Sequence, residues 1–365
     1  MLLFIALGIL INFFSIVSCR FSKQENNRIY VFLSFILLLY TLLHDFKVSV
    51  DYDIYQRLYR IAPPLDLLLN DISKYKSLLY TEFSYSILAT FIKHFSSLSE
   101  EANLSIIFSI YALLGVTTNT YGIYKLTENK LQTLFIYFCN LFILHELTQV
   151  RAGVAIGFIF IALYHLKEDN YLKFFIFTMI ATFFHTSAYM ILLVPIFKYF
   201  NLTYRFWTLV FLICVYCNVS NLDIVNIIDF IPNEYFQYRL KAYLVKQEAE
   251  DFVINYFNIF FLLQLTVITL CFIYQGKLNA IDHNIKTLVE MCCISSCLYV
   301  FLYSIPGMAV RTQELFNCVL PILIPSLTYI IKPKAVMELI VYLIGWWMLA
   351  NNVILNKMIL LEPLF

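Results

Sequence analysis

Charge is scarce in this chain: Asp, Glu, Lys and Arg make up 13% of its 365 residues, about half of the ~25% usual for a soluble domain. With 61% of the residues hydrophobic, this excludes a water-soluble protein and points to a polytopic membrane protein. Neither sign of charge dominates. A formal net charge of +1 gives no electrostatic basis for binding nucleic acid. Glycine is rare as well, with eight residues in all. Segments filled by Phe, Ile, Leu and Tyr are therefore expected to associate by bulky ridge packing, with few small-residue contacts.

Other absences narrow the chemistry. The first apolar run, MLLFIALGILINFFSIVS, has no basic stretch before it and no small-residue cleavage site after it, so a retained transmembrane helix is expected rather than a signal peptide. Nine cysteines lie almost entirely within apolar runs. Cys214 and Cys217 have CxxC spacing, but no second Cys/His pair stands at zinc-finger distance, so they read as free thiols packed in helices. His145 and Glu146 open an HExxH pattern, yet Gln149 occupies the second histidine position and no zincin site results. There is no internal repeat, low-complexity tract or hydrophilic domain, so a single transmembrane domain over residues 1–365 is expected.

Twelve apolar runs, from 1–18 to 335–355, are long enough to cross a bilayer or nearly so, which predicts an all-α protein with about 12 membrane helices, within a range of 10–14. Lys and Arg set the orientation. Each odd-numbered run is followed by a short basic stretch (Arg20, Lys23 and Arg28; Lys125 and Lys130; Lys167 and Lys173; Lys198 and Arg205; Lys277 and Lys286; Lys332 and Lys334). The positive-inside rule puts these in the cytoplasm and both termini outside. The apolar stretch 82–95 would invert every later basic loop if it crossed, so it is expected to be an amphipathic or re-entrant helix on the outer face. Two long polar stretches, 45–82 and 220–254, then face outward, where loops of such length tend to carry function.

Several residues on that face could do chemistry. Asp51 and Asp53 spell DxD in the first outer loop, and Tyr52, Tyr55 and Tyr59 offer rings on which a sugar can stack. The aspartates are either solvated loop carboxylates or hydrogen-bonding partners of a sugar hydroxyl. In the second outer loop Tyr235, Tyr238 and Arg239 share a helical face, with Tyr243 beyond. They form either an interfacial aromatic belt or a lid over an anionic lipid-linked substrate. Gln149 and Arg151 fall in one outer turn, His185 in the next, and Arg311 in a later outer turn just after Pro306-Gly307. An arginine fork suits phosphate or pyrophosphate, the alternatives being snorkelling or a structural pair with Glu146 or Glu314. His185 is either a hydrogen-bonded core imidazole or a catalytic or phosphate-binding group, and His145 and Glu146, a turn deeper, would lie behind the site.

The motifs VDYDIY, TEFSY at 81–85, QVRAGVAIG at 149–157, FHTSAYMILLVP at 184–195, the Tyr-rich 235–243 and the late Arg311 together resemble the EpsG/Wzy family of bacterial polysaccharide polymerases, over most of the length. Gln149-Val150-Arg151 departs from an adjacent Arg-Gln pair, and a Gly before Asp51 is missing. The resemblance implies a polytopic inner-membrane enzyme, with a GT-C-like fold as one form it could take. It would transfer an O-antigen or capsule chain from undecaprenyl pyrophosphate to a new lipid-linked repeat unit at the periplasmic face. Arg151, Arg311 and Gln149 would bind the pyrophosphate. His185, Asp51, Asp53 and Glu82 are rival bases, and no metal or cofactor is demanded. Partners would be lipid-linked repeat units, membrane lipid, and the chain-length regulator and flippase of the same pathway. A flippase of lipid-linked oligosaccharide and a membrane acyltransferase are the competing readings.

Overall fold

The computed structural model describes residues 2–70, 76–220, 222, 255–256 and 258–355, with the side chains of Leu2 and 76–82 set aside. The described residues are helical almost throughout, with no strand among them, as an all-α polytopic protein should be. The chain divides into two compact units, 1–190 with 335–365, and 191–334.

The first unit contains α1 (Leu2–Val17), α2 (Lys23–Leu43), α3 (Tyr52–Ile61), α4 (Leu65–Asn70), α5 (Lys76–Phe95), α6 (Glu100–Leu126), α7 (Lys130–Tyr137), α8 (Val150–Lys167) and α9 (Tyr171–Phe184). Helix α7 runs directly into a π-helical stretch, Phe138–Glu146. The second unit holds α10 (Val194–Phe200), which follows a 3-10 stretch Thr186–Leu193, then α11 (Tyr204–Val219), α12 (Ile259–Ile273), α13 (Gln275–Ile281), α14 (Asn284–Phe301), α15 (Pro306–Asn317) and α16 (Leu320–Ser326). Helix α17 (Lys334–Ala350) belongs to the first unit.

Polar residues fix where the apolar helices start. Ser22 and Glu25 form a reciprocal capping box on α2, with Ser22 N–H donating to Glu25 Oε2 at 2.7 Å and Glu25 N–H to Ser22 Oγ at 3.3 Å. Ser99, Thr203 and Asn258 cap α6, α11 and α12 more simply, each side-chain oxygen accepting backbone N–H groups of the first turn. Six helices are long and apolar enough to cross a membrane, and α12 with α13 makes a seventh candidate bent by 82°. Tyr171–Phe184, Thr186–Phe200, Tyr204–Val219 and Leu320–Tyr329 are shorter apolar helices. The apolar runs are thus helices, but among the described residues only six or seven have the length and composition of a full span, against about twelve expected.

The packing differs from the sequence expectation at one place. Helices α6 and α8 cross at Gly122 and Gly157, while Gly115 and Gly153 of the same two helices make room for Glu146 and the His145 carbonyl of the π-helical stretch. A Cβ on Gly157 would collide with the Thr118 hydroxyl, so the backbones approach at a distance only glycine permits. Gly153 and Gly157 are one GxxxG step on α8, the spacing by which membrane helices meet closely. Bulky side chains surround this crossing, but small ones make it.

The stretch expected as an amphipathic or re-entrant helix at 82–95 belongs to the longer α5, which is anchored to its neighbours. Tyr85 OH donates to the Tyr55 carbonyl at 2.7 Å, Thr90 Oγ1 to the Pro63 carbonyl at 2.8 Å, and Tyr111 OH on α6 to Ser84 Oγ at 2.9 Å.

Candidate functional site

Arg151 is the second residue of α8, so its backbone N–H is among those a helix leaves unbonded at its start. The Tyr55 hydroxyl, from α3, faces both that N–H and the guanidinium, whose carbon lies 5.6 Å from the Tyr55 ring centroid. Burial raises the Tyr55 phenol above its ordinary 10.0 while Arg151 draws it down, and the net shift is upward. It is therefore neutral at physiological pH and adds no charge beside Arg151. Asp51, just before α3, is close enough for its charge to act on Tyr55. One corner of the first unit thus brings together Asp51, Tyr55 and Arg151, three residues singled out in sequence.

Of the five histidines in this unit, His145 and His185 act on each other. His185 follows the last residue of α9, half-buried, with its backbone N–H on the Ala181 carbonyl at 2.9 Å. Its charge reaches His145, which is only 2% exposed. Neither ring nitrogen of His145 has a hydrogen-bond partner among the described residues, an unusual state for a buried imidazole. Gln149 precedes α8. Its N–H bonds the Leu144 carbonyl at 2.9 Å, its carbonyl accepts from Gly153 N–H at 3.1 Å, and its half-buried side chain makes no capping bond.

Glu146 is a structural group. Its Oε1 accepts from Asn119 Nδ2 at 2.7 Å and from Tyr137 OH at 2.9 Å, while Asn119 also bonds the Gly115 and Gly153 carbonyls at 3.0 and 2.9 Å. This buried network ties α6, the π-helical stretch and α8 into one joint behind Arg151. The sequence reading placed Glu146 behind the site but missed Asn119 and Tyr137. The available signal was Asn119 in the polar run Thr117–Thr120, one helical turn from Gly115.

The remaining candidates scatter. Asp53 is exposed, whereas Asp51 is half-buried. Tyr55 and Tyr59 point into the core, and Tyr59 OH accepts from Asn103 Nδ2 at 2.9 Å, so only Tyr52 of the three loop tyrosines stays half-open. Arg311 is exposed on α15 in the second unit. The side chain of Glu82, and Tyr235, Tyr238, Arg239 and Tyr243, lie outside the described residues. Among the described residues no group of three or more His, Cys, Asp or Glu could hold a metal ion.

A helical, multi-pass membrane protein with an arginine at the start of a glycine-packed helix and two interacting histidines in the same unit is the class defined by this fold and site. The model of the EpsG family matches residues 28–358, and the chain belongs to that family. Membership places it in polysaccharide biosynthesis with a polymerase role. No curated protein and no solved structure matches the chain.

Proposed function

We propose that the protein joins undecaprenyl-pyrophosphate-linked oligosaccharide repeat units into O-antigen or capsular polysaccharide, at the periplasmic face of the bacterial inner membrane. The observation that carries the reading is Arg151 held on Tyr55 at the start of α8, with Asp51 beside it and the His145–His185 pair in the same unit, in a chain of the EpsG family.

The chemistry is a glycosyl transfer. An acceptor sugar hydroxyl attacks the anomeric carbon of the donor glycan, and the bond from that carbon to the lipid pyrophosphate breaks. The hydroxyl proton passes to a base, and the pyrophosphate leaves on its lipid. Arg151 neutralises the charge that grows on the leaving group, a role its planar fork fills bidentately. His185, half-buried and open to a substrate, is the base, with Asp51 as its rival. The chain-length regulator and flippase of the pathway are the protein's working partners.

The test is polymerisation of lipid-linked repeat units by purified protein in lipid nanodiscs. Arg151→Ala and Arg151→Lys should both slow elongation by about a hundredfold or more, because a lysine is a point charge without the fork. Wild-type rates for both variants would remove the pyrophosphate assignment. A deletion strain adds an independent check: single-repeat product without a ladder is expected, whereas loss of every repeat would mark a flippase instead.

A further inference from the structure

A cleft of about 200 Å³ opens in the first unit between the end of α2, the start of α3 and the first turns of α6. A single water needs roughly 10–15 Å³ of such space, so the cleft has room for a sugar ring. One wall is aromatic: Phe46 stacks on Phe108 at 4.6 Å between centroids, and Tyr52 stacks on Phe108 at 5.9 Å. The other wall is polar and carries His44, Asp45, Ser105 and Ser109.

The hydrogen-bonding sense of that wall is one-sided. Ser105 Oγ donates to the Glu101 carbonyl at 3.0 Å and Ser109 Oγ to the Ser105 carbonyl at 2.8 Å. Each hydroxyl has therefore spent its proton and offers only lone pairs to the cleft. Asp45 accepts Lys47 N–H on Oδ1 at 3.0 Å and keeps further acceptor sites. His44 Nε2 is buried and has no partner among the described residues. Lys47, the one Lys or Arg among the described lining residues, is paired with Glu101. A phosphate would find lone pairs and a carboxylate there, whereas a polyol brings hydroxyl protons to those acceptors and a C–H face to Tyr52.

The cleft adjoins the arginine site through α3. Tyr52 faces the cleft and Tyr55, three residues on, faces Arg151, and both rings pack on Phe108, Tyr55 edge-on at 5.4 Å. We propose that this cleft binds an uncharged, hydroxyl-rich sugar of the glycan whose pyrophosphate end lies at Arg151, an assignment that rests on the polymerase reading above. It separates the substrate by chemistry: acceptors for the sugar on the α2–α6 side, and the cation for the pyrophosphate at the start of α8.

The experiment uses full-length protein in nanodiscs and neutral oligosaccharides cut by mild acid from the surface polysaccharide of the organism carrying the gene. Binding is read by saturation-transfer NMR, with polymerisation measured in parallel. Ser105→Phe fills the cleft from an exposed position that the fold does not need, and Asp45→Asn removes the carboxylate while keeping its turn-capping oxygen. Each should weaken oligosaccharide binding at least tenfold, and inorganic pyrophosphate should not compete. Binding unchanged in both variants, no binding to wild-type protein, or displacement by pyrophosphate would overturn the cleft assignment. A protein that polymerises normally with both variants refutes the cleft and leaves the polymerase reading standing. A protein that binds sugar through the cleft yet makes no polymer does the reverse.

Discussion

A methyl group added at Gly115 meets the Glu146 carboxylate at once, because Oε2 already occupies the space a Cβ would need. Gly115→Ala should therefore destabilise the detergent-solubilised protein by about 1–3 kcal/mol, read as a lower Tm, as over-packing of a tight contact does. In a Glu146→Ala background the added methyl has room, and the penalty should shrink. Additive penalties in that double-mutant cycle would show that the contact is not what limits the approach. His44 gives a second test at this scale. Its ring packs between Tyr40 and Phe46, and burial lowers its pKa below the ordinary 6.5, with Asp45 opposing. The unfolded chain then takes up the proton first, so the stability His44 contributes is full above about pH 6.5 and is lost as pH falls toward the lowered folded value. His44→Gln should flatten the fall of Tm just below pH 6.5, and an unchanged slope would exonerate His44. Arg151 and His185 were legible in sequence because a charge interrupting an apolar run is conspicuous. His44, Asn119 and Tyr137 were not, since a polar residue in a helix does not reveal what it faces across the packing.

Helix α3 shows why a motif and a site are different things. In sequence, Asp51 and Asp53 look like a pair, but residues two apart at a helix start stand on opposite sides, about 200° apart, so they cannot grip one group together. Tyr55 and Tyr59, one turn apart, do share a face, but it is the buried one, so their rings are not open to a sugar. What holds α3 and its following turn divides into rim and interior contacts. At the rim Arg60 Nε and Gln56 Nε2 donate to Glu100 Oε1 at 2.9 and 3.0 Å. Inside, Thr90 Oγ1 reaches the Pro63 carbonyl with no exposure. Glu100→Gln should change stability by less than about 1 kcal/mol and by less still in high salt. Thr90→Val should cost about 1–3 kcal/mol at any salt concentration, because a buried carbonyl loses its donor. Equal effects of the two changes would mean that α3 is held from outside. The short span Thr186–Phe200 has its own account: eight of its residues are 3-10. At about 2.0 Å rise for those and 1.5 Å for the rest it reaches about 26 Å, against ~22 Å for an α-helix of that length. Periodicity cannot disclose this, because apolar residues fill every face of the segment.

At the scale of the whole molecule, the basic turns decide orientation, and within each unit they meet. In the first unit Lys23 pairs with Glu128 at 2.9 Å and Lys130 Nζ donates to Asn27 Oδ1 at 2.8 Å, joining the turn before α2 to the turn before α7. In the second, Lys286 bonds Asn201, joining the turns before α14 and α11. The opposite end of the first unit is marked by Glu100 and Glu101, paired with Arg60 and Lys47. A chain that gathers its basic turns this way has a defined sidedness, and the positive-inside rule predicts that those turns are cytoplasmic. Fluorescent-protein fusions truncated after Glu128 and after Glu168 should glow, because that reporter matures in the cytoplasm. Alkaline phosphatase fused after Leu98 or after Gln149 should be active, because it requires the outer side. The Leu98 fusion is the decisive one. If α5 crossed the bilayer, phosphatase at Leu98 would be silent, and with α2 and α6 left as they are the Glu128 reporter would turn dark as well. Arg151 would then open toward the cytoplasm, out of reach of a glycan assembled outside, and the polymerase reading would lose its geometry together with its topology.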